Sequence, residues 1–151
     1  MKIDNTDIKI LKELQLDSRL SIRELSKRVH LSPPSVAERI KKFEDSGIIE
    51  GYTIRINKSA LGLSIQCIIQ IDIKNNNFEK FKEFIYSHPR VVFCYRIAGH
   101  SCILVKLCVK SISEIEKFVD SISSLDSTTS TNIIFSEIPI DNSIEKFFSD
   151  F

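Results

Sequence analysis

The residues best suited to chemistry in this chain are polar or basic and lie close together. Between Arg19 and Phe43 stand seven basic side chains (Arg19, Arg23, Lys27, Arg28, Arg39, Lys41, Lys42) against two acids, Glu24 and Glu38, while the whole 151-residue chain has a net charge of only +1. A local basic stripe on a near-neutral protein is the electrostatic footprint of an element that enters a nucleic-acid groove. Ser35 and Glu38 suit base edges. Arg39 suits a guanine taken bidentately or a phosphate clamp. Lys41 and Lys42 suit phosphates, and Arg19, Arg23 and Lys27 can join them. A solvated helix face also carries bases, and Glu38 has a second use as an ion-pair partner of Lys41 or Lys42 one turn away.

Other chemistries find little support. No Ser/His/Asp arrangement, paired carboxylates or phosphate loop is evident, and four glycines leave no room for a dinucleotide fingerprint. No enzyme activity and no cofactor are expected. Cys67, Cys94, Cys102 and Cys108 form no C-x-x-C pair, so a zinc site is not expected and the thiols read as free and mostly buried. His30, His88 and His100 fall at turns. No apolar run approaches the roughly 18 residues a membrane span needs. MKIDNTDIKILKEL lacks the apolar centre of a signal peptide, so a cytoplasmic location without membrane contact is expected.

The elements that must position the basic residues follow from caps and periodicity. Asp4 caps a first helix with Ile8, Leu11 and Leu14 facing inward, which should stop near Asp17. Ser21 and Glu24 have capping-box spacing and open a second helix of about two turns, with Leu25 and Val29 on its apolar face. After the tight connection His30-Leu31-Ser32, Ser32 caps a third helix beginning at Pro33, with Val36, Ile40 and Phe43 inward and Gly47 at its end. Pro34, Ser35, Glu38, Lys41 and Lys42 then point outward, with Arg39 on the flank. Two short helices joined by a tight turn form a helix-turn-helix, whose second helix reads the major groove. Residues 48–56 read as a short β-hairpin or wing turning at Glu50-Gly51.

Beyond Leu63 the period changes to two. Ile65, Cys67, Ile69, Ile71 and Ile73 line one face of a strand broken at Asn75-Asn76-Asn77. Phe78, Phe81, Phe84 and Ile85 mark a helix closed by His88-Pro89. Strands follow at 91–98 and 103–109 around Gly99-His100-Ser101. Ser111 and Glu114 offer a second capping box for a helix carrying Ile115, Phe118, Val119 and Ile122. A Ser/Thr-rich loop then leads to a last strand at 132–138. The order β-α-β-β-α-β is ferredoxin-like, and the fold class is α+β. Apolar residues at both strand parities, such as Ile68 beside Ile69 and Leu104 beside Val105, predict an apolar outer sheet face and a dimer that buries it. The tail carries Ile144, Phe147, Phe148 and Phe151, and should pack on a partner or on its own domain. The domains read as 1–50 helix-turn-helix, 51–62 hinge, 63–140 ferredoxin-like domain and 141–151 tail.

LSPPSVAERIKKFEDSGII (31–49) running into GYTIRINKSALGL (51–63), with D-x-x-D-I-K-I-L-K-E-L at 4–14 and FCYRIAG at 93–99, resembles the Lrp/AsnC family of feast/famine regulators over nearly the whole chain. That resemblance implies a winged helix-turn-helix that binds double-stranded DNA with helix 33–46. A hinge strand would follow, then a RAM/ACT-like domain for an amino acid or other small-molecule effector. It also implies homodimers assembling into tetramers or octamers, with DNA wrapped or bent around them. The family's reading-helix positions fall on Ser32, Pro34, Ser35, Glu38, Arg39 and Lys42. Its effector turn falls on Gly99, His100, Ser101 and Cys102. Amino-acid-binding members commonly place an aspartate three residues after the hairpin glycine. Here that position is Cys102, so a ligand ammonium group has no carboxylate there. Two alternatives share the scaffold. One is an architectural protein that bends or wraps DNA with weak sequence preference. The other is an enzyme resembling the sirohaem decarboxylases, for which His100 and Arg96 are the nearby candidates.

Overall fold

The computed structural model describes residues 2–74 and 77–148. Two units emerge: residues up to Arg55 together with those from Pro139 onward, and Ile56–Ile138.

The first unit is helical. Helix α1 (Asn5–Leu16) begins with a closed capping box: the Asp7 amide donates to Asp4 Oδ1 (2.7 Å) and the Asp4 amide to Asp7 Oδ2 (3.0 Å). Its inward face is set by Ile10 and Leu11, both buried, whereas Ile8, expected to point inward, is only half-buried. Helix α2 (Ile22–Val29) opens with the Ser21/Glu24 capping box. It ends at His30, which at φ 55° takes the left-handed conformation that turns the chain into α3. Helix α3 (Pro33–Asp45) starts with Ser32 accepting from the Ser35 amide (3.3 Å) and proline in its first turn. It ends where Gly47 sits at φ 72°, with the Ile48 amide donating to Phe43 O and the Gly47 amide to Glu44 O, the pairing of a Schellman stop. Ile10, Leu25, Val36 and Phe43 are fully buried between the three helices.

The expected hairpin over 48–56 is absent. None of these residues is in a strand, and Gly51 is not among the positive-φ residues that a tight two-residue hairpin turn requires. The stretch instead runs irregularly to a single 3-10 turn at Ser59–Leu61.

The second unit is a four-stranded antiparallel sheet in the order β2-β3-β1-β4, made of β1 (Ile65–Ile73), β2 (Val91–Arg96), β3 (Ile103–Val109) and β4 (Ser127–Ile133). Its two helices are α4 (Phe78–Ser87) and α5 (Ile112–Ser123). Cys67, Ile69 and Ile71 of β1 and Ile103, Val105 and Leu107 of β3 form its core with Phe81, Ile115, Phe118 and Ile122 of the helices. Of the residues expected to break the first strand, Asn75 and Asn76 lie outside the described residues.

Three expectations need correction. The last strand is the Ser/Thr-rich 127–133 stretch, not 132–138. It pairs on one side only, with β1 (Ile71 opposite Thr129, Ile69 opposite Thr131), and β-branched threonines fit such an edge. The capping box at Ser111 does not form, because Glu114 turns to Arg90 (2.7 Å to Nε) and accepts from the Lys110 amide. The outer sheet face is not uniformly apolar: the register aligns Tyr95, Leu104, Gln70 and Ser130 in one row and Phe93, Lys106, Ile68 and Asn132 in the next. Its apolar part is concentrated on β2, where the Phe93 and Tyr95 rings lie 4.8 Å apart.

The tail beyond Pro139 belongs to the helical unit. The Gln15 side chain brackets it, donating to Asn142 O (2.6 Å) and accepting from the Ile144 amide (2.8 Å). Lys12 pairs with Glu145 at 2.8 Å, and Ile144 packs against the helical core. Phe151 lies outside the described residues.

Candidate nucleic-acid interface

Burial of Val36, Ile40 and Phe43 turns the opposite face of α3 to solvent, and Ser32, Pro34, Ser35, Glu38, Lys41 and Lys42 are all exposed there. Arg23 is exposed on α2. The two serines share a hydrogen bond (Oγ to Oγ 2.7 Å), which fixes the Ser35 hydroxyl at the first turn of α3. Glu38 and Lys42 form the ion pair foreseen as Glu38's second use (2.8 Å), and the ammonium group holds the Glu38 carboxyl below its usual range. Lys41 projects without an ion-pair partner among the contacts seen for the described residues.

Arg39 departs from its expected place among the groove-facing residues. It is half-buried, and its Nη1 donates to both Asp4 (2.8 Å) and Asp7. The two carboxylates raise its pKa, while the Asp4 carboxyl is lowered first by the Asp7 amide and then by Arg39. Asp7 is buried with a side chain 6% exposed. Arg39 therefore ties α3 to α1. Sequence reasoning placed Arg39 correctly on the helix flank but missed its partners. The available signal was Asp7 itself, a carboxylate three and four residues before the buried Ile10 and Leu11, on a stripe that tolerates charge only when it is paired. Arg28, another member of the basic stripe, is likewise engaged with Glu13 of α1 at 2.7 Å.

The hairpin residues do not share one environment. Gly99 and His100 are exposed, and the Ser101 hydroxyl reaches Gln70 at 3.5 Å. Cys102 turns its thiol inward to Ile71 O (3.5 Å) and packs on the core. Its side chain therefore faces away from the turn, which corrects its placement with the other three. The Arg96 guanidinium lies 5.0 Å over the Phe78 ring. All four thiols are free: Cys67 and Cys108 are buried, Cys102 is half-buried and Cys94 is exposed. Among the described residues no cluster of three metal-ligating side chains occurs, and no helix is long and apolar enough to cross a membrane.

Comparison with known proteins bears on this arrangement. Residues 3–50 match the model of the winged helix-turn-helix DNA-binding family, and residues 66–144 that of the Lrp/AsnC ligand-binding domain. The chain is 44% identical to the HTH-type transcriptional regulator LrpC of Bacillus subtilis, over 94% of this chain and 98% of that protein. The LrpC structure superposes with a TM-score of 0.88 at 43% identity, covering 93% of this chain and all of the other. A transcriptional regulator of Neisseria meningitidis, solved as a complex with L-Met, superposes with a TM-score of 0.86 at 30% identity, over 95% and 96% of the two chains. AsnC of Escherichia coli gives 0.83 at 29% identity, over 96% and 99%. With both family models matched in order, a capped helix-turn-helix ahead of the antiparallel α+β unit, and a relative of this identity over its full length, the chain belongs to the Lrp/AsnC family of HTH-type transcriptional regulators.

Proposed function

We propose that α3 enters the major groove of double-stranded DNA, with Ser35 and Glu38 on base edges and Lys41, Lys42 and Arg23 on phosphates. The observation that carries this reading is the continuous exposed polar and basic face of α3 opposite a fully buried apolar stripe. Ser32 and Pro34 belong to this surface as well, while Arg39 contributes from behind it. We place the function in binding rather than catalysis. The working form is a homodimer with capacity for higher assembly, supported by exposed Tyr95, Phe135 (99%), Ile138 and Ile140 in the β-unit and its exit segment; sedimentation at micromolar concentration tests it. An amino acid or similar small molecule at the Gly99–Ser101 turn is the proposed effector, in line with the L-Met complex of the Neisseria regulator. Cys102 supports that turn from the core side.

Fluorescence anisotropy at fixed salt, with the gene's own upstream duplex against a shuffled one, tests the DNA reading. Lys42→Ala should weaken binding to both duplexes alike and flatten the salt dependence, whereas Ser35→Ala should cut the preference between them by about 1 kcal/mol. Unchanged binding in both variants would remove α3 from the interface. One observation favours the architectural alternative: Arg39 is tied to α1 and Glu38 to Lys42, which leaves few unengaged base-reading side chains. Equal affinity for the two duplexes is the result that would establish that alternative.

A further inference from the structure

Four hydrogen bonds close a ring between α1 and α3. Both oxygens of both carboxylates are used: Asp4 Oδ1 accepts from the Asp7 amide, Asp7 Oδ2 from the Asp4 amide, and Asp4 Oδ2 and Asp7 Oδ1 both accept from Arg39 Nη1. The ring borders a polar cleft of ≈360 Å³ that Ser35, Glu38 and Lys42 also line. The Arg39 guanidinium thus lies at the edge of the reading face and is turned back from it. Moving Arg39 onto a phosphate would strand the Asp7 carboxylate, whose side chain is only 6% exposed, without its cation, which is costly for a buried charge.

We propose that Asp7, assisted by Asp4, is a positioning residue for DNA reading: it holds the Arg39 charge off the DNA and fixes the lie of α3 against α1. The inference rests on α3 being the reading helix. Arg39 then raises selectivity by setting the angle at which Ser35 and Glu38 meet the bases, and adds nothing to the count of phosphates neutralised. The same guanidinium offsets one of the two carboxylate charges that would otherwise repel the duplex.

The test is a salt series of DNA-binding anisotropy on the full chain, using the upstream and the shuffled duplex. Asp4→Asn/Asp7→Asn keeps a capping side chain at each position but releases the guanidinium. Non-specific binding should tighten and the slope of log K against log salt should steepen by about 0.9, one added phosphate contact. The preference between duplexes should fall by about tenfold, the value of one misaligned base contact. Adding Arg39→Gln to that pair should return the slope to its starting value while the preference stays low. Asp4→Asn alone, at a more exposed carboxylate, should move both readouts the same way by less, and thermal melting verifies that each variant is folded. A slope flattened by about 0.9 in Arg39→Gln alone would overturn the proposal, since Arg39 would then already be on the DNA. So would an unchanged slope and preference in the double Asn variant. If the unsubstituted chain binds neither duplex, the reading of α3 itself fails, a result distinct from either of these.

Discussion

A carboxylate on the apolar stripe of a helix demands a cation, and in this protein the cation comes from the helix thought to spend it on DNA. Periodicity placed Val36, Ile40 and Phe43 inside and Arg39 at their margin, and the structure agrees. What periodicity along one helix cannot supply is the partner 32 and 35 residues away, because that pairing depends on how α1 and α3 cross. Cys102 repeats the lesson in the β-unit: the residue was legible as a departure from the family pattern, but its inward turn depends on β1 beside it. In the sequence His88 stands out only as the residue before Pro89 that closes a helix. It lies 5.1 Å from the Phe84 ring and 5.1 Å edge-on to Phe118, and its Nδ1 accepts from the Arg90 amide (3.3 Å). Burial first and Arg90 second push its pKa below the ordinary 6.5, against a smaller opposing pull from Glu114. The folded state thus favours the neutral ring. Its stabilising contribution is complete above pH 6.5 and is lost as pH falls from there through the depressed folded value. Urea unfolding followed from pH 7.5 to 5.5 should show a falling midpoint, and His88→Phe should flatten that fall; an equal slope in both proteins would mean the ring does not titrate on unfolding.

Caps were the most legible features at the level of elements, because they depend on residues three apart. The starts of α1, α2 and α3 fall where Asp4, Ser21 and Ser32 place them. In α2, only eight residues long, the Ser21 hydroxyl both accepts from the Glu24 amide (3.2 Å) and donates to its carboxylate (2.6 Å). Short helices depend most on such contacts. Ser21→Ala should lower the unfolding free energy by about 1 kcal/mol, read as a shift of the denaturation midpoint at constant slope; a change below a few tenths would show that packing of Leu25 and Val29 alone holds the helix. Ser111 offered the same spacing and failed, since Glu114 had a stronger suitor in Arg90, a residue 24 positions earlier. The edge strand β4 was illegible for another reason. Its serines and threonines resemble a loop by composition, and only pairing with β1 makes them a strand, whereas the more strand-like stretch after it finds little to pair with beyond the Ile134 amide on Gln66 O.

At the scale of the whole molecule, the chain crosses from the helical unit to the β-unit and then back. The return was half-legible. The apolar character of Ile144 announced that the tail would pack somewhere, but its seat on α1 is set by Gln15, a polar residue with no distinguishing mark in the sequence. Gln15 lies on the helix that also carries Asp7, so α1 supports the reading helix through one residue and holds the returning tail through another. Gln15→Ala, which removes both hydrogen bonds, and Ile144→Ala, which removes apolar contact, should each destabilise the helical unit by about 1 kcal/mol. Hydrogen exchange of the amides in 141–148 is the more direct readout: it should quicken in Gln15→Ala with β1 and β3 unaffected. Unchanged exchange in the tail would show that other contacts, such as Lys12 with Glu145, suffice to hold it.

That return has a consequence for how the protein is made. A ribosome delivers the three helices before the sheet, and residues 139–148 only after it. The helical unit can therefore begin to form early, but it lacks its final piece until the sheet has left the exit tunnel. A nascent chain halted after β4 would carry a helix-turn-helix whose apolar core still lacks Ile144.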